Sequence, residues 1–139
     1  MSTEELRALQ LLRRVTYGRV ATSMRALPFL AIARHIVTPD GEVVLRMHSG
    51  LGHHEACLGS VVTYAADNLG LGEPELWTVQ FTGTAEATEP THEELALFEP
   101  APVEVNGEPF DPVHMRIAPQ FVNIDRIAYA RPRAVSHAA

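Results

Sequence analysis

The sequence predicts a mainly β domain: about six antiparallel strands closed into a small split β-barrel, with helices at its periphery. Three observations lead there. Short strand patterns follow one another from residue 17 to residue 67, separated by turn residues. Residues 77–88 alternate apolar and polar side chains without a break. Two helix-start signatures, Ser2-Thr3-Glu4-Glu5 and Thr91-His92-Glu93-Glu94, fall outside the strand runs. Strands in sequence with helices between and beside them fit a barrel better than a layered α/β fold.

Ser2 is the N-cap of a first helix, with Leu6, Leu9 and Leu12 at helical spacing and an end near Arg14. Residues 17–24 form a strand that contains Gly18-Arg19-Val20-Ala21-Thr22. Residues 27–37 form a second strand, apolar on both faces and therefore central in its sheet. Thr38-Pro39-Asp40-Gly41 is a turn. The third strand, 42–48, points Val43, Leu45 and Met47 one way and Val44, Arg46 and His48 the other. A turn through Gly50 and Gly52 leads to a short helix over 53–58, and a fourth strand covers 60–67. Residues 68–74 are a loop rich in glycine.

The long strand, 77–88, carries Trp77, Val79, Phe81, Gly83, Ala85 and Ala87 on its apolar face. Gly83 at its middle marks a bulge or a close backbone approach. A second helix opens at Thr91 and ends before Pro100. Pro100, Pro102, Asn106-Gly107, Pro109 and Pro112 punctuate a loop long enough to be a lid. The closing strand runs over 113–118, breaks at Pro119 and continues through 121–124. Residues 126–133 add an edge segment, and 136–139 are a frayed tail.

A chain of 139 residues holds one domain with a real core. No apolar run approaches the roughly 18 residues that span a bilayer, and the N-terminus shows no secretory signal, so the expected location is the cytoplasm. The single cysteine, Cys57, allows no internal disulfide. A net charge of −6 argues against nucleic acid as the main partner. All 11 basic residues other than histidine are arginine. Lysine chemistry is therefore excluded: no Schiff base, no lysine base and no lysine phosphate clamp. An anion must be held by arginine, histidine, hydroxyls or backbone.

The turn after the third strand has the parts of such a site. Arg46, His48 and Ser49 lead into Gly50-Leu51-Gly52, and His53 and His54 open the helix. Glycines let the backbone approach a ligand, and a helix start carries partial positive charge. The expectation is the phosphate end of a cofactor pocket. An ordinary capped turn with exposed histidines is the plain alternative, and Arg46 could equally pair with a carboxylate. His48, His53, His54, Glu55 and Cys57 match metal ligands in type but not in spacing. Trp77 and Cys57 read as packing residues, and Arg19 and Arg34 as surface arginines. The polar stripe Thr78, Gln80, Thr82 and Thr84 suits a solvated face, a pocket or a dimer seam.

Taken in order, these pieces resemble the FMN-binding split-barrel superfamily, the pyridoxamine 5′-phosphate oxidase-like proteins, from residue 5 to residue 133. The resemblance rests on the first helix followed by Gly18-Arg19-Val20-Ala21-Thr22, on the long second strand, and on the third strand leading into a glycine turn. It also rests on Trp77-Thr78-Val79-Gln80-Phe81-Thr82-Gly83-Thr84-Ala85-Glu86, similar to the family's W-x-V-x-x-x-G-x-A-x strand, and on Arg116-Ile117-Ala118-Pro119-Gln120-Phe121-Val122, similar to its closing R-I-x-P-x-x-V. The resemblance implies a homodimer with two FMN sites at the subunit interface and a small-molecule substrate, with no nucleic acid and no membrane. It implies that Arg46, His48, Ser49 and the Leu51, Gly52, His53 and His54 backbone hold the flavin phosphate. The ring system would lie near Val20, Ala21 and Thr22 and near Gln80 of the partner subunit. Hydride chemistry belongs to the flavin, so no catalytic base is expected. The sequence departs from the family's lysine-bearing phosphate turn: Gly50-Leu51-Gly52-His53-His54 stands there instead. A non-catalytic dimer that binds a deazaflavin, a haem-like ligand or no cofactor is the competing expectation.

Overall fold

A computed structural model describes residues 1–130 of the chain. The first helix, α1 (Thr3–Leu12), is capped as its sequence predicts, the Ser2 hydroxyl accepting the Glu5 N–H at 3.1 Å. It buries Ala8, Leu9 and Leu12. Strands β1 (Tyr17–Met24) and β2 (Leu27–Val37) form a hairpin. Its two-residue turn, Arg25 and Ala26, holds left-handed φ angles of 52° and 65°. Such a turn matches the twist of the flanking strands, although neither residue favours that conformation. The 38–41 turn closes on the Gly41 N–H to Thr38 carbonyl bond at 3.0 Å and delivers β3 (Val43–His48).

A single 3-10 turn over Ser49–Leu51 precedes α2 (His53–Cys57), then β4 (Val61–Asp67) and β5 (Glu75–Ala87). Helix α3 (His92–Leu97) carries the complete capping box between Thr91 and Glu94. The proline-rich stretch is not structureless. Its backbone pairs with itself in a two-stranded hairpin, β6 (Glu104–Val105) and β7 (Glu108–Pro109), turning at Asn106-Gly107 where both φ angles are positive. β8 (Pro112–Ile117) and β9 (Phe121–Ala128) follow.

Six strands close in the order β4-β1-β2-β3-β8-β5, with β5 returning to β4. All neighbours are antiparallel. β9 is an outer strand that runs on past β8 along the same edge of β5, from Thr82 opposite Phe121 to Glu75 opposite Ala128. The expected edge segment at 126–133 is thus part of β9 as far as Ala128, and its last three positions and the 136–139 tail lie outside the described residues.

The change of strand at Pro119 explains Gly83. A β-carbon there would stand 2.6 Å from the Ala118 carbonyl oxygen, so only glycine lets the two backbones meet. Inward residues of the barrel, among them Val20, Leu45, Tyr64, Phe81, Met115 and Ile117, form one core, and α1 covers it with Ala8, Leu9 and Leu12. His35 is buried there too. Its Nε2–H donates to the Leu12 carbonyl at 2.8 Å, and the Tyr64 hydroxyl donates to its Nδ1. Burial lowers the His35 pKa to about 4, so the ring is neutral.

Candidate functional site

Period-two alternation puts Val44, Arg46 and His48 on the outer face of β3, opposite the barrel core. Arg46 stands directly across from Arg34 on β2 and from His114 on β8. The face is nevertheless covered. The segment after α3 folds back over it, so Arg46 and His48 are each only 6% exposed. The Arg46 guanidinium lies 5.1 Å from the centre of the Phe98 ring and 5.4 Å from that of Phe110, and donates to the Pro100 carbonyl at 3.3 Å. Among the described residues no carboxylate pairs with it.

Arg34 is not the free surface arginine its sequence context predicts. It donates to the carbonyls of Thr16, His35 and Leu97, and it lies 5.9 Å from the Phe98 ring. Burial first, and then the charge of Arg46, lower its pKa. The same two causes lower the pKa of His114. Between the two arginines and the 102–110 segment lies a cavity of about 270 Å³, lined by Tyr17, Ile32, Arg34, Arg46, His48 and Phe110 among others, and by no acidic residue among those described.

The turn residues are partly committed. The Asp111 N–H donates to His48 Nδ1 at 3.1 Å, which places the imidazole proton on Nε2. Among the described residues that Nε2 has no hydrogen-bond partner, and a Glu108 carboxylate oxygen lies 3.6 Å away. The Ser49 hydroxyl donates to the Asp111 carboxylate at 2.6 Å, and the Ser49 N–H to the Asp111 carbonyl at 2.8 Å. Leu51 walls the cavity. Gly52, at φ +74°, reverses the chain into α2, which has five residues and no side-chain cap. Its field is correspondingly small, so the arginines are the main source of positive charge here. His53 stacks on Phe29 at 5.7 Å, and His54 Nδ1 is buried without a partner among the described residues.

The other expected residues lie elsewhere. Val20 is fully buried and points into the barrel, because it sits on the inward phase of β1; its side chain cannot meet a ligand on the outer face. Ala21 lies on the outer face opposite Leu30, and the Thr22 hydroxyl donates to the Val61 carbonyl at 3.1 Å. Gln80 is exposed on β5, between Ala65 and Asn123. Within one chain it does not join Arg46. Among the described residues no group of three His, Cys, Asp or Glu side chains converges as metal ligands, and Cys57 is a buried packing residue.

A family model described as pyridoxamine 5′-phosphate oxidase matches residues 4–133. The chain belongs to the pyridoxamine 5′-phosphate oxidase family. Solved structures repeat the fold. The FAD-binding protein of Mycobacterium smegmatis superposes with a TM-score of 0.70 at 19% identity, covering 91% of this chain and 98% of that one. A protein from Corynebacterium glutamicum assigned as a pyridoxamine 5′-phosphate oxidase gives 0.68 at 21% identity, with 92% of each chain covered. A FAD-binding protein of Mesorhizobium loti gives 0.58 at 15% identity, over 91% and 94% of the two chains. A search of curated proteins gives no match. In this pyridoxamine 5′-phosphate oxidase-like barrel, the residue that sequence reasoning passed over is Arg34. The signal for it was present: an arginine inside an otherwise apolar strand, in phase with Arg46 once the 38–41 turn sets the register.

Proposed function

We propose that the protein is a flavin-binding oxidoreductase that holds FMN and acts on a small molecule. The observation that carries this reading is the pairing of buried Arg46 with half-buried Arg34, facing a cavity whose lining includes no carboxylate among the described residues. One desolvated and one partly desolvated guanidinium group, with no carboxylate partner among the described residues, favour a ligand that brings negative charge. The buried His48 Nε2–H, unpartnered among the described residues, adds a polar donor to the lining. These residues fit the phosphate of a flavin. Family membership and FAD-binding relatives of the same fold support the cofactor class.

In this reading Arg46, His48 and the Leu51, Gly52, His53 and His54 backbone hold the phosphate end, with Ser49 joining when it leaves Asp111. Ile32 and Arg34 border the ring end. When bound, the flavin supplies hydride or electron transfer; this chain orients it and excludes water beneath the 98–111 segment.

The working form is a homodimer. Leu30, Ile32, Val61 and Phe121 are 60–71% exposed on the outer face. Ala21, Thr63 and Thr82 lie between them in register, a patch of small and apolar side chains. A second copy seated there would bring Gln80 of the partner subunit towards the site.

An absorbance spectrum of the purified protein, before and after excess FMN and desalting, tests the proposal. The two visible bands of oxidised flavin, retained after desalting, are expected. Acid release and chromatography then tell FMN from FAD. A spectrum that stays blank would overturn flavin binding. The absence of lysine and the engagement of Ser49 by Asp111 would then favour a deazaflavin, a haem-like ligand or a cofactor-free dimer.

A further inference from the structure

A second cationic cavity lies between α1 and the β5–β9 edge, and it shares no lining residue with the cavity at Arg34 and Arg46. It has a volume of about 370 Å³. Arg7 and Leu11 border it from one face of α1, four residues apart, and Arg14 borders it from the turn just past the helix. Trp77 of β5 and Arg126 of β9 border it from below, directly opposite each other in the antiparallel register and so on the same face of the sheet.

Trp77 is 4% exposed, yet its indole Nε1–H has no hydrogen-bond partner among the described residues. A buried donor left unpaired destabilises the fold, so its retention calls for an acceptor. Arg7 and Arg126 have no carboxylate within ion-pair distance among the described residues. Glu73 is engaged by Arg14 at 3.2 Å and by the Asn68 amide at 2.6 Å. Glu75 completes the charged lining, which leaves three arginines against two glutamates.

We infer that this cavity binds a small monocarboxylate with an apolar body. The carboxylate accepts from the Trp77 indole N–H and from Arg126 and Arg7, and the apolar part lies on Leu11, Pro74 and the indole. The single excess positive charge suits one carboxylate better than a polyphosphate. The site is independent of the flavin reading.

Trp77 is the only tryptophan, so the 15N-labelled full-length protein has one indole N–H resonance. The probe is sodium benzoate at constant ionic strength, with benzamide as the uncharged control of the same shape. A saturable shift of that resonance with benzoate and none with benzamide is expected. Arg126→Gln and Arg7→Gln should each raise the half-saturating benzoate concentration about tenfold, as loss of a charge-assisted contact does. Flavin absorbance in the same samples should not change. No shift, a shift that never saturates, an equal response to benzamide, or unaltered curves in the variants would overturn the site. If Arg126→Gln perturbs the rest of the spectrum, Arg7→Gln on the exposed side of α1 decides. A protein that binds benzoate but no flavin would leave this inference standing and the proposed function not.

Discussion

Arg34 and Arg46 stand directly opposite each other on β2 and β3, two like charges paired across an antiparallel ladder with no carboxylate at either guanidinium among the described residues. Like charges at such positions repel. Backbone carbonyls and the Phe98 and Phe110 rings offset part of that cost. The remainder is the electrostatic reason to expect an anionic ligand.

Replacing the charge while keeping the volume separates binding from packing. Arg46→Met should weaken flavin retention at least about tenfold, through loss of a charge-assisted contact. It should not lower the melting temperature of the flavin-free protein, because an unpaired buried charge is exchanged for an apolar group of similar size. Flavin titration and thermal melts on the same preparation check both parts. Unchanged flavin affinity would remove Arg46 from the site.

Acid should destabilise the fold through His35. Its pKa is 6.5 when unfolded and about 4 when folded, so below pH 6.5 the unfolded chain binds the extra proton. The stabilisation is complete above pH 6.5 and is lost as the pH falls towards 4, up to about 3 kcal/mol in all. Urea unfolding at pH 7.5 and 4.5 measures it, and His35→Gln should flatten the slope. Glu94 acts in the same direction at lower pH: the Arg116 hydrogen bond at 2.8 Å holds its carboxyl below the usual range, and protonation removes that contact.

Gly83→Ala should cost about 2–3 kcal/mol in urea unfolding, since the new methyl group would meet the Ala118 carbonyl, a backbone atom that cannot swing aside. Little or no loss would mean that the β8–β9 break can shift.

Cys57 should resist thiol reagents in the native state and react only on unfolding. It is fully buried at the end of α2, and burial pushes its thiol pKa up. Rapid labelling under native conditions would show that α2 opens.

The strands, the Ser2 N-cap, the Thr91–Glu94 capping box and the closeness of backbones at Gly83 were legible in the sequence, because they follow from rules that act within a few residues. Alternation tells which side chains share a face, and that was enough to put Arg46 and His48 together on β3. The inward phase of Val20 was readable by the same rule, but the side of the sheet that a ligand would use was not. The hairpin inside the 100–112 segment escaped notice because its strands are two residues each.

By itself, then, the sequence determined a mainly β barrel of six closing strands and a turn without lysine, where any anion must be met by arginine and histidine. Only the tertiary structure decided that Arg34 faces Arg46, that Asp111 engages Ser49 and His48, and that Trp77 lies beside Arg126 under α1. Periodicity is a property of the local backbone and can be read along the chain. Desolvation and pairing of side chains depend on groups far apart in sequence, which meet only when the barrel has closed.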